Sequence, residues 1–133
     1  CYSKQVVFWM PAWGDDDKLT EDPQKEISLI YYPNREGLED RVYRIKTERS
    51  GASTPEPRTT HQITNIEILS ASDEQVQLRF NWNTLLHRYK ETSNYFGTCF
   101  YTLDISGETP LITHKKIILN NDYIPHVIDI YHI

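Results

Sequence analysis

The sequence predicts an α+β fold in which long antiparallel strands curl into an open cone or half-barrel against a helix. Three observations predict it. One charged helix can be read in the chain, and after it comes strand upon strand with turn residues at hairpin spacing. The third observation is length. Strand character runs from Gln75 through Lys90, and that many extended residues would span roughly 50 Å. A compact chain of this size is only about 35 Å across. The strand must therefore curl or break. Its alternation fails near Asn81 to Thr84, where a bulge is expected.

Gln5 to Trp13 reads as a strand of β-branched and aromatic residues closed by Pro11. Gly14 to Asp17 is a turn. Its three adjacent carboxylates lack the spacing of a calcium loop, so a solvated acidic turn is the reading. Glu26 to Tyr32 reads as a short strand with both faces partly covered. Asn34 then offers an N-cap oxygen. Glu36, Glu39 and Asp40 fall near the positive end of the helix, and Arg44, Lys46 and Arg49 near the negative end. Leu38, Val42 and Ile45 make one apolar stripe, Asp40 and Arg44 can pair, and Gly51 suits the position after the helix. Ala52 to Pro57 carries two prolines and little to build a core, so it reads as an exposed arm.

His61 to Leu69 is the next strand, with Ile63, Ile66, Ile68 and Leu69. Gln75 to Trp82 alternates strictly, with Val76, Leu78, Phe80 and Trp82 on one face. Tyr95 to Asp104 and Leu111 to Leu119 are two further long strands joined by a turn at Ser106 to Glu108. Large residues on both faces of Tyr95 to Leu103 predict a central strand.

Composition narrows the function. The formal net charge of −5 argues against nucleic acid, which needs a basic face. No apolar run approaches the ~18 residues of a membrane span. Two cysteines, Cys1 and Cys99, are too few for a disulfide framework. We read a single domain over residues 1–133 of a cytoplasmic protein, N-terminally incomplete because a core strand opens it almost at once.

His126, Asp129 and His132 include the two-histidine, one-carboxylate set of non-haem iron sites, but their spacing points them apart on a helix, and a packed tail is favoured. His61, His87 and His114 sit on three different strands, which favours hydrogen-bonded surface histidines. Cys99, within an aromatic strand, reads as a buried inert thiol. Asp104, Asp122 and Asp129 qualify as general bases only if a cone interior desolvates them. No Rieske ligand pair, phosphate-cradling loop or nucleophile elbow is present. The aromatic residues read as core and interface. What stands out is the arginine cluster Arg41, Arg44, Arg49 and Arg58, with Arg35 at its edge. On a helix end and an arm it suits docking to another protein, since arginine is enriched at interface hot spots.

Segments along the whole chain, in order, resemble one family: FWMPAW (8–13), LTEDPQKEISLIYYPN (19–34), GLEDRVYRIKTERS (37–50), PRTTHQITNIEI (57–68), RFNWNTLLHRYK (79–90), YFGTCFYTLD (95–104), KKIILNNDYI (115–124) and VIDIYHI (127–133). They are similar to the small (β) subunits of aromatic-ring-hydroxylating dioxygenases, in the benzoate branch with halobenzoate and toluate enzymes. The resemblance implies a cystatin-like cone of the NTF2-like type. It implies a structural, non-catalytic β subunit in an α3β3 hexamer, with β subunits forming a trimer that braces the large subunits. The Rieske [2Fe–2S] cluster, the mononuclear iron and the substrate pocket are then expected on the large subunit, with no cofactor and no catalytic or metal-binding residue on this chain. Arg41, Arg44, Arg49 and Arg58 become subunit-interface candidates. Family members open with N-terminal helices that this chain lacks, so exposed apolar surface is expected where those helices would lie. The alternatives are a stand-alone isomerase or dehydratase on the same cone and an aromatic-ligand-binding module.

Overall fold

A computed structural model describes residues 1–47, 51, 53–125 and 127–133. Its elements are β1 (Tyr2–Pro11), β2 (Ser28–Tyr32), α1 (Glu36–Lys46), β3 (Arg58–Ala71), β4 (Gln75–Arg88), β5 (Glu91–Asp104), β6 (Leu111–Leu119) and a short 3-10 helix at Ile130–His132. The six strands form one sheet in the order β2-β1-β6-β5-β4-β3. This is the predicted open, curled α+β architecture with one correction. β1 runs parallel to β6, so the sheet is mixed. Hairpin spacing shows only neighbouring strands, and this pairing joins the two ends of the chain.

Alternation along β4 sets the two faces. Phe80, Trp82, Thr84 and Leu86 are buried. Their partners across the ladder, Cys99, Gly97, Tyr95 and Ser93, share that face. With Phe8, Met10, Ile30, Ile117 and Leu119 they build the core on the concave side. Ile128, Tyr131 and Ile133 of the C-terminal segment pack into it, as does Leu38 of α1.

The bulge falls elsewhere than expected. β4 pairs with β5 residue for residue from Gln75 to Arg88. The register shifts against β4 lie in β3, between Thr64 and Glu67 and between Ile68 and Ser70, where Asn65 takes φ 53°. Further shifts lie in the ladders of β1 with β2 and β6 and of β5 with β6, so the curl is spread over several strands. Strand character also stops at Arg88. Tyr89 and Lys90 both take positive φ and form a two-residue turn into β5.

Helix α1 departs from its expected caps. Arg35 precedes the first helical residue and makes no side-chain cap. Asn34 still serves the turn, because its Oδ1 accepts from the Glu36 N–H at 2.9 Å. The helix closes at Thr47, whose N–H and hydroxyl both reach the Arg44 carbonyl, so Gly51 lies beyond it. Its described i,i+4 ion pair is Arg35–Glu39 at 2.8 Å, not Asp40–Arg44. No helix residue is fully buried. Of the predicted stripe, Leu38 reaches the core, while Val42 remains exposed. The acidic turn is closed by its own backbone, with Gly14 N–H donating to Lys18 O at 2.7 Å. Among the described residues no helix is long and apolar enough to cross a membrane.

Candidate subunit interface

The four arginines have separate fates. Arg41 turns inward. Its Nε donates to the Tyr32 hydroxyl at 2.6 Å, and its Nη1 donates to Asp129 Oδ1 at 2.6 Å and to the Ile128 carbonyl at 3.5 Å. The two charged side chains are 13% and 10% exposed. Burial works against the guanidinium's charge, but the hydrogen bonds to Tyr32 and Asp129 outweigh it and raise the Arg41 pKa. Arg44 is exposed and lines a cleft of about 750 Å³ with Arg88, Asp129 and His132. Arg58 is exposed at the start of β3, across the ladder from His87. Arg49 lies outside the described residues.

The arm is less free than its composition implies. Arg88 Nη2 donates to the carbonyls of Gly51 at 2.6 Å and Thr54 at 2.5 Å. Ser53 meets the Tyr131 hydroxyl at 3.4 Å, and Pro57 is buried. The segment thus lies against the β4–β5 turn and the chain end. Arg88, which carried no local signal, holds it there.

The C-terminal Asp129 and His132 form a cap. Asp129 accepts from the Ile130 N–H at 2.8 Å, and the His132 ring accepts from the Asp129 N–H at 2.9 Å. The ring also stacks edge-on against Tyr95 at 4.6 Å. His126 lies outside the described residues. Among those described, no three His, Cys, Asp or Glu side chains are grouped to hold a metal ion.

The remaining histidines do not converge. His61 lies opposite Thr84, with its Nδ1 at 3.1 Å from the Thr84 hydroxyl, and so shares the concave face. His87 and His114 lie on the convex face, opposite Thr92 and Thr102. His114 is half-buried, and burial and the charge of Lys116 lower its pKa. Burial pushes the Cys99 thiol up to about 12, against the pull of Lys115, so it carries no thiolate at neutral pH. Asp104 sits at a turn, where hydrogen bonds from Ser106 lower its pKa. None of these positions forms an acid–base pair with a neighbour.

The most exposed strand is β3, one of the two terminal strands of the sheet, with one edge unpaired among the described residues. Only Thr59 among its residues is even partly buried. Ile63, Ile66, Ile68 and Leu69 expose 57%, 67%, 66% and 47% of their surface. Ile63 and Ile68 lie on the concave face beside Trp82 and Leu78. The predicted exposed apolar surface is therefore present. Other large apolar side chains are exposed away from β3, among them Ile27, Tyr43 and Val127. On the rest of the concave face Leu38 of α1 and Ile128, Tyr131 and Ile133 of the C-terminal segment pack against the core. A long apolar edge strand is a template for pairing with another chain unless something covers it.

The model of the ring-hydroxylating β-subunit family matches residues 1–126. The chain belongs to that family. Among relatives of this ring-hydroxylating β subunit, the benzoate 1,2-dioxygenase subunit β of Acinetobacter baylyi is 62% identical over 133 residues, covering 100% of this chain and 79% of that one. The toluate 1,2-dioxygenase subunit β of Pseudomonas putida is 61% identical over 132 residues, covering 99% and 82%. The crystal structure of the β subunit of a benzoate 1,2-dioxygenase from Burkholderia mallei superposes with a TM-score of 0.82 at 54% identity, over 100% of this chain and 80% of that one. The β-subunit fold is thus the expected cone, an open curled sheet closed on one side by helix and tail.

Proposed function

We propose that this chain is the non-catalytic structural subunit of a benzoate-type aromatic-ring-hydroxylating dioxygenase, an oxidoreductase complex. The observation that carries the reading is similarity of about 60% identity along the whole chain to small subunits of such enzymes. The geometry supports it. Among the described residues His61 lies on the concave face and His87 and His114 on the convex one, the buried Asp129–His132 contact is a helix cap, and β3 leaves its isoleucines exposed. A large subunit is the implied partner. In our reading it carries the Rieske cluster, the mononuclear iron and the substrate pocket, and the assembly is α3β3 with a trimer of this chain. The isomerase alternative is not favoured, because it needs a histidine and a carboxylate converging in a closed cavity.

The interface prediction follows from β3 and from the arginines that point outward. Replacing Ile66 and Ile68 together by lysine, or Arg58 by glutamate, reduces co-purification with the large subunit at least tenfold. Exposed positions like these cost the isolated chain within about 0.5 kcal/mol, so its circular dichroism and melting stay unchanged. Arg41→Glu behaves oppositely and unfolds the chain. Undiminished co-purification of the β3 variants would remove β3 from the interface.

A further inference from the structure

The convex face of β3, β4 and β5 carries a patch unlike an ordinary solvent face. The ladders set Gln62 beside Asn83, Thr64 beside Asn81, Asn81 beside Thr98 and Asn83 beside Phe96. These side chains, with Asn120, line a cleft of about 250 Å³, and no charged residue is among the described residues that line it. Phe96 and Leu85, the next residue on the same face of β4, stand in the patch with 44% and 41% of their surface exposed. A sheet face turned to water usually carries charged side chains. Here charge stands at the border, where Arg79 pairs with Glu67 at 3.0 Å and Lys116 lies over the Trp9 ring at 4.5 Å.

Asn83 adds a second observation. Its Oδ1 is buried and meets no donor among the described residues. An amide oxygen buried without a partner is costly, so the atom points to a donor that arrives from outside. The patch does not adjoin the chain start. Cys1 lies beside Ile112, whose N–H donates to its carbonyl, whereas the Phe96 carbonyl accepts from Asn120 at the opposite end of β6.

Charge selects the occupant. The chain carries a formal net charge of −5, so copies of it repel where their charged faces meet. A face packed against its own copies around a symmetry axis brings each side chain close to its equivalents, which disfavours charge there. It favours groups that both donate and accept, and Asn, Gln and Thr do both. A different protein would be steered by complementary charge, which this patch does not offer.

We infer that this face is where copies of the chain meet one another, with Phe96 and Leu85 packed across the contact and Asn83 Oδ1 accepting from an amide or hydroxyl of a second copy. The inference deepens the proposed trimer and rests on that reading.

Sedimentation equilibrium of the purified protein, with any residues ahead of Cys1 kept, is the test. The parent should sediment as an oligomer of this chain. Phe96→Arg and Leu85→Arg, both at exposed positions, should each weaken self-association at least tenfold while leaving circular dichroism unchanged. Salt at about 1 M should restore part of the loss by screening the like charges brought together. Asn83→Asp keeps the shape and adds a charge, and should weaken self-association to a similar degree; it decides the matter if the arginine variants fail to fold. A parent oligomer that all three variants preserve would overturn the assignment and leave the trimer reading standing, with water as the donor to Asn83. A parent that stays monomeric at every concentration would overturn both.

Discussion

Asp129→Ala should destabilise the chain by about 3–5 kcal/mol, the usual cost of stripping one partner from a buried ion pair. The carboxylate does two jobs at once. It receives Arg41 Nη1 at 2.6 Å and the Ile130 N–H at 2.8 Å, and so ties α1 to the chain end while capping the last helical turn. Its loss leaves a guanidinium with 13% of its side chain exposed facing only the Tyr32 hydroxyl and a carbonyl. Asp129→Asn keeps a cap acceptor but not the charge, and should fall between parent and alanine variant. Replacing both charges, Arg41→Met with Asp129→Leu, should recover much of the loss, because no buried charge is then stranded. Urea unfolding of the parent, Arg41→Met, Asp129→Leu and the double variant measures this coupling. If the double variant is as unstable as the two single losses added together, the pair is not coupled and the arrangement is wrong.

Gly97→Ala should cost about 3 kcal/mol or more and lower the melting temperature by roughly 10 °C. Gly97 sits in the central strand β5, paired with Trp82 on one side and Leu119 on the other. A Cβ there would fall 1.8 Å from the Ile118 carbonyl oxygen and 3.2 Å from Trp82 Nε1. The first of these atoms is backbone in a neighbouring strand, so relief requires moving β6 rather than turning a side chain. Gly107 is the internal control. It lies in the β5–β6 loop with nothing within 4 Å of its would-be Cβ. Gly107→Ala should stay within about 0.5 kcal/mol of the parent. Equal melting of the two alanine variants would contradict the close packing of β5 on β6.

These two sites differ in how far the sequence reveals them. The face of β4 was legible, because Val76, Leu78, Phe80 and Trp82 alternate and sheet burial has the same period. The sequence also places β6 at its observed bounds, Leu111–Leu119. Local pattern is silent on long-range pairing. The β1–β6 parallel contact joins distant segments, and β3 has the composition of a core strand, yet its place at the end of the sheet leaves Ile63, Ile66 and Ile68 uncovered. The same limit explains the arginines. Arg41, Arg44, Arg49 and Arg58 looked alike on one stretch, but Arg41 meets its carboxylate at the far end of the chain, and Arg88, outside the cluster, holds the arm. Asp129 and His132 did carry a signal, since their three-residue spacing also fits a reciprocal helix cap. The cap bonds at Ile130 and Asp129 N–H, together with the Arg41 contact, distinguish that role from metal ligation.

The central claim is that this chain is a structural partner of a large dioxygenase subunit. The mass of an equimolar mixture of the two purified chains, measured by sedimentation, tests it most directly. The account predicts one species containing both chains in equal number. Two separate species, each sedimenting as it does alone, would contradict it.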